Sequence, residues 1–159
     1  MYIDYLNIPA IPKEILEDLD TIRNRLFAIG TPYNGTFRLK DTSSTVSDYI
    51  QTLFPFEVHC RYQFVYQGLP IHTDMKGNAG RKLAVNYLLN AGGNNVITNI
   101  YDNNYNVIDS KCLELNRWHY IRTDHLHNVS NIDKDSVRIA LSIGLNEDIE
   151  DFIHQFSLK

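Results

Sequence analysis

After Pro55 the chain changes texture, and that change limits what it can fold into. From Phe56 to Leu145 it is a succession of short β-rich runs punctuated by glycine and asparagine. The runs are Glu57–Gln67, Arg81–Leu89, Val96–Tyr101, Asn106–Leu115, Trp118–Arg122, His127–Val129 and Val137–Leu145. Turn signals separate them at Gly77–Gly80, Gly92–Asn95 and Asp102–Asn104. Asparagine suits such places because its side chain can hydrogen-bond the local backbone. Many short strands at near-regular spacing predict an antiparallel sandwich or barrel.

The segment before Pro55 has a different period. Met1 to Asn7 alternates as a strand would. Pro12 then opens a helical pattern in which Ile15, Leu16, Leu19, Ile22 and Leu26 recur at three- and four-residue spacing, and Gly30 ends it. A second helix is predicted from Ser44 to Leu53, with Thr42, Ser43 or Ser44 as caps and Val46, Ile50 and Leu53 as its apolar face. The expected organisation is one domain over residues 1–159. Residues 1–55 form a helical support packed on one sheet, and residues 56–145 form the β core. A chain of 159 residues is long enough to bury such a core.

Composition removes several classes of function. The net charge of -4 supplies no basic surface for nucleic acid or anionic lipid. No run approaches the ~20 apolar residues of a membrane span. The N-terminus lacks the basic start and apolar run of a signal peptide, so the expected location is the cytoplasm. The two cysteines, Cys60 and Cys112, have neither a disulfide framework nor thiolate zinc spacing, and are expected to be reduced core thiols.

The residues that carry chemistry begin at Ile71-His72-Thr73-Asp74. Residues two apart in an extended chain project to the same side, so His72 and Asp74 can reach one metal ion. Two ligands are too few. The stretch Asp124-His125-Leu126-His127 offers a third from a distant strand, and His127 is preferred to His125. Two histidines and one carboxylate on one face of an octahedron leave open positions, the arrangement of iron(II) oxygenases. Arg138 lies in the apolar run Val137–Ile143, where a cation is costly to bury without a partner. A dicarboxylate would suit it through a two-pronged guanidinium contact; an acid of the chain itself, such as Asp135, is the alternative.

With Tyr66, Gly68, His72-Thr73-Asp74, Arg81, Leu89-Asn90, Gly92-Gly93, His127 and Arg138, the chain resembles the 2-oxoglutarate- and iron(II)-dependent oxygenases, closest to their prolyl-hydroxylase-like branch. The resemblance spans about Tyr62 to Leu145. It implies a double-stranded β-helix, or jelly roll, with iron(II) held by His72, Asp74 and His127 at its open end. It also implies 2-oxoglutarate held by Arg138, oxygen as oxidant, and release of succinate and CO2 as a substrate is hydroxylated. A carboxylate at Asp74 argues against a halogenase. Arg81 and Arg122 fall near the implied mouth, where substrate would pass.

The chain also departs from the family pattern. The tyrosine that often faces the cosubstrate is displaced by one residue, to Tyr87, and a one-residue shift in a strand turns a side chain to the other face. Leu88 and Asn86 should face the site instead. The serine two positions after the arginine is Ala140, with Ser142 farther along. Tyr66, and after it Asn86, are the candidates for a second hydrogen bond to the cosubstrate. The second-arginine pattern of nucleic-acid repair oxygenases is missing after Arg138. The expected substrate is a small molecule or a peptide, with no nucleic-acid or membrane partner. The rival reading is a non-catalytic, cupin-like β-barrel that binds a metal or small ligand.

Overall fold

A computed structural model describes residues 1–27, 37–76, 79–145 and 149–158. Leu26 belongs to the described backbone, whereas the helix stop expected at Gly30 and the turn at 77–78 lie outside the described residues. The chain is mainly β, with two antiparallel sheets and three helices among the described residues.

The elements run in order as β1 (Ile3–Tyr5), α1 (Leu19–Phe27), β2 (Phe37–Asp41), α2 (Ser44–Thr52), β3 (His59–Val65) and β4 (Leu69–His72). A two-stranded hairpin follows, β5 (Met75–Lys76) with β6 (Ala79–Gly80). Then come β7 (Leu83–Asn90), β8 (Ile97–Tyr101), β9 (Val107–Lys111), β10 (Trp118–Arg122), β11 (Leu126–Ser130), β12 (Arg138–Gly144) and α3 (Ile149–Phe156). The larger sheet has the order β1-β10-β7-β12-β3-β2, and the smaller β4-β11-β8-β9.

All seven expected β runs contain a strand. The N-terminal part differs more. The first helix begins at Leu19 rather than Pro12, because Asp18 is its true start: the Asp18 carboxylate accepts from the backbone N–H of Asp20 and Thr21, at 2.9 and 3.2 Å. Pro12 to Ile15 closes only a turn, with Ile15 N–H donating to Pro12 O at 3.0 Å. The second helix begins at Ser44 as expected, and Ser43 caps it by accepting from Val46 N–H. Strand β2, the β5–β6 hairpin and α3 have no forecast in the sequence pattern, and Ala79–Gly80, expected within a turn, forms β6. Strand β2 adds an edge to the large sheet beside β3, and α3 packs on the same face as the first two helices.

Strand alternation creates two cores. Leu83, Val85 and Tyr87 of β7, and Ile139, Leu141 and Ile143 of β12, face the helices and pack with Ile22, Val46, Ile50, Phe152 and Phe156. Each large side chain fully buried there contributes roughly 1.5–3 kcal/mol. Polar tips inside this core are paired. The Trp118 indole N–H donates to Pro9 O at 3.1 Å, and the Tyr87 hydroxyl accepts from Ile11 N–H at 3.2 Å. The opposite faces of the same strands line the space between the sheets. There Ala84, Leu88 and Ala140 meet Ile3, Ile100 and Ile121.

Cys60 is buried in the helix-side core, where desolvation pushes its thiol up to about 12. Cys112 corrects the expectation of two core thiols: it follows β9 and is exposed. No described helix is long and apolar enough to cross a membrane.

Candidate metal centre

Strands β4 and β11 are antiparallel neighbours, and their register sets His72 opposite His127. The third ligand expected from far along the chain is thus the cross-strand neighbour of the first. Asp74 follows just past the end of β4. Its backbone N–H donates to Thr123 O at 3.0 Å, and the Thr73 hydroxyl donates to the same oxygen at 3.1 Å. These bonds hold the His-Thr-Asp segment against the end of β10. The ligand atoms of His72, Asp74 and His127 all lie within 4.8 Å of one another, so the group can hold a metal ion.

Both imidazoles are oriented by backbone. His72 Nδ1 lies 2.7 Å from Pro70 O, and His127 Nδ1 lies 2.8 Å from His125 O. A carbonyl oxygen only accepts, so each Nδ1 carries a proton, and each Nε2 is left as the nitrogen that can take a metal when it is unprotonated. Those Nε2 atoms converge on Asp74 Oδ1, at 3.4 Å for His72 and 3.6 Å for His127. Metal-binding histidines are typically fixed by such outer contacts.

The electrostatics follow from burial and proximity. Hydrogen bonding to Asp74 raises the His72 pKa above the usual imidazole range, outweighing desolvation. Burial alone would raise Asp74, but the His72 hydrogen bond and the Arg81 charge hold it below the usual carboxylate range. His127 is more deeply buried, and desolvation lowers its pKa. A carboxylate and at least one neutral imidazole are thus favoured, the forms in which these side chains bind metal.

The three ligands line a cavity of about 390 Å³ between the sheets, within the size range of small-molecule sites. Arg138 lies in the same cavity, 6% exposed. Its Nη2 donates to Thr98 Oγ1 at 3.3 Å. Among the described residues no carboxylate pairs with it, Asp135 included, and burial lowers its pKa to about 10, which still leaves it charged at neutral pH. Asn86 reaches the cavity, as the alternation around Leu88 requires, and its Oδ1 has no hydrogen-bond partner among the described residues.

Other expectations land elsewhere. Tyr66 packs against the helix-side core and does not line the cavity. The reason is parity: Gln63 and Val65 face the cavity, which turns Tyr66 outward with Tyr62 and Phe64. Tyr87 faces the helices for the same reason. Arg81 lines the cavity but is paired with Asp74, with Nη2 at 3.0 Å from Oδ2. Arg122 lies outside it, bound to Glu150 at 3.0 Å and Asp124 at 3.4 Å. His125 pairs with Asp124 at 2.9 Å and meets the edge of Tyr2, so it is not a member of the ligand cluster.

Sequence reasoning missed Thr98, which touches Arg138, and Phe37, which lines the cavity from β2. Thr98 had a usable signal, since it shares the inward face of its run with Ile100. Phe37 had none, because β2 itself was not legible. No family model and no curated protein matches the chain, and the reading of the site rests on these residues and their geometry.

Proposed function

We propose that this chain is an iron(II)- and 2-oxoglutarate-dependent oxygenase that hydroxylates a peptide residue or small molecule, with release of succinate and CO2. The observation that carries the reading is one cavity with two unlike halves. A two-histidine, one-carboxylate cluster lies at one part of it, and a buried arginine without an acidic partner among the described residues at another.

The strand order supports the architecture. Count β3, β4 and β7 to β12 as strands one to eight. The large sheet then contains six-three-eight-one and the small sheet two-seven-four-five. Each sheet thus takes strands alternately from the two halves of the eight, as a double-stranded β-helix does.

The residues fit the groups the reading requires. His72, Asp74 and His127 offer the mixed nitrogen and oxygen donor set of a non-haem iron(II) site with open positions. A buried cation is stable only with compensation, and a carboxylate entering the cavity would supply it. Arg138 would take that carboxylate in a charge-assisted contact, with Thr98 fixing one guanidinium nitrogen. Asn86 lines the same cavity, opposite Ser142 on the neighbouring strand. Bound iron(II) supplies the oxidative chemistry, coupling cosubstrate decarboxylation to attack on a C–H bond. The chain positions the reactants and excludes water. Ala84, Ile121, Val129 and Ala140 give the cavity wall its apolar part, so polar contacts inside are not diluted by solvent.

A metal-binding barrel without catalysis would account for the three ligands but not for Arg138. The test is direct. Iron(II) and 2-oxoglutarate added without oxygen should give the visible charge-transfer band of the chelate. Admission of oxygen should then yield succinate. Absence of both band and succinate with the triad intact would overturn the oxygenase reading.

A further inference from the structure

The two carboxylate oxygens of Asp74 are treated differently. Oδ1 faces the imidazoles, within 3.4 and 3.6 Å of the two Nε2 atoms. Oδ2 is taken by Arg81, whose Nε and Nη2 both lie 3.0 Å from it. Both contacts fall on one oxygen, so the guanidinium does not bridge the carboxylate.

Arg81 is itself held at both ends. Its Nη1 donates to Ser142 Oγ at 3.2 Å, and Ser142 is 6% exposed on the inward face of β12. Its carbonyl accepts from the Thr123 hydroxyl at 2.7 Å. Thr123 O in turn accepts from Asp74 N–H at 3.0 Å. The backbones of Arg81 and Asp74 are therefore tied to the same residue. The pair is partly buried, with side chains 33% and 19% exposed, so water competes less than at an open surface.

A carboxylate with two free oxygens can grip a cation with one or both. A second oxygen on the ion would fill a position that a two-pronged cosubstrate and oxygen both need. Arginine is suited to blocking it, because its rigid fork fixes the direction of its donors. We propose that Arg81, anchored by Ser142, is a positioning residue that restricts Asp74 to a single ligand oxygen and so keeps a coordination position open. The proposal rests on the metal-site reading above. It also accounts for Ser142, which lies two residues too far along β12 to join Arg138 at the cosubstrate and holds Arg81 instead.

The test uses the manganese(II)-loaded protein without cosubstrate, counting metal-bound waters from the broadening of the electron paramagnetic resonance lines in oxygen-17 water. Arg81→Gln is expected to carry one water fewer than the unmodified protein. Arg81→Lys, which keeps the charge on Oδ2, is expected to restore the count. Ser142→Ala is expected to give a mixture of the two counts. An unchanged count in Arg81→Gln overturns the proposal while leaving the metal site standing. Should Arg81→Gln fail to fold, an unchanged count in Ser142→Ala overturns it equally. Failure of the unmodified protein to bind manganese(II) or iron(II) overturns the metal reading, and this proposal with it.

Discussion

His72 and His127 stand directly opposite each other on adjacent antiparallel strands, with ring centroids 4.3 Å apart. Sheet register thus sets the spacing of the two nitrogen ligands, and the carbonyl oxygens of Pro70 and His125 set their direction. Such a pair should be separable from its neighbour in sequence. His127→Ala is expected to abolish tight binding of iron(II) or cobalt(II), whereas His125→Ala should bind within a few-fold of the unmodified protein. Calorimetric titration of both variants checks this. Equal losses would return His125 to the ligand set.

Arg138 supports a prediction of opposite sign for stability and binding. Its cation is buried with one hydroxyl contact and no acid among the described residues. Replacing buried charge with an apolar side chain of similar volume is often stabilising, by about 1–4 kcal/mol where ion pairs were exchanged. Arg138→Met is therefore expected to melt higher than the unmodified protein when both are free of ligand. It should also lose the stabilisation by 2-oxoglutarate, which at a hundredfold excess over Kd amounts to about 2.7 kcal/mol in the unmodified protein. Thermal melts with and without the compound, metal present throughout, measure both. A lower melting temperature for the ligand-free variant would mean that Arg138 holds the fold together instead.

The sequence carried the site further than it carried the N-terminal half of the fold. His72, Asp74 and His127 were legible because each sits in or beside a short β run where parity decides which way a side chain points. The same parity placed Asn86 inward and Tyr87 outward. It also turns Tyr66, one step past Val65, away from the cavity, against the family pattern that favoured it. The helix start at Asp18 was hidden by Pro12, an equally good opening by local chemistry, and only packing separates the two. Strand β2 was illegible because Phe37-Arg38-Leu39-Lys40-Asp41 is an edge strand exposed on alternate residues, held by its pairing with β3. Ser142 was visible, but its partner Arg81 lies across the fold.

Acid should weaken this protein through His119. The residue is fully buried, and burial together with the Arg138 charge pushes its pKa down to about 3. In the unfolded chain it titrates near ~6.5. Between those values the unfolded chain binds a proton that the folded protein refuses. This contribution to stability is therefore present above pH ~6.5 and is lost as pH falls below it. Between pH 7 and pH 5 the loss is about 2 kcal/mol. Urea titrations at the two values should show it, and His119→Gln should show a correspondingly smaller difference between them. An identical pH dependence in the variant would exclude His119 as its source.

Gly80 is where backbone geometry bears on the metal centre. It has φ +125°, and a Cβ built there would lie 2.3 Å from Asp74 O and 3.0 Å from Met75 Cα. Both neighbours are backbone, so no rotamer change can relieve the contact. The hairpin that pairs Gly80 with Met75 must open, and Asp74 is the residue just before Met75. Gly80→Ala is therefore expected to cost about 1–3 kcal/mol in strain. Because the hairpin has only two residues in each strand, the damage should stay near Asp74. The expected result is metal binding weakened about tenfold or more, with the melting temperature of the metal-free protein lowered by only a few degrees. Ala79→Gly, in the same hairpin, adds no Cβ and serves as the control. Metal titration and thermal melts of the two variants decide the matter: unimpaired binding in Gly80→Ala would show that Asp74 is held without this close approach.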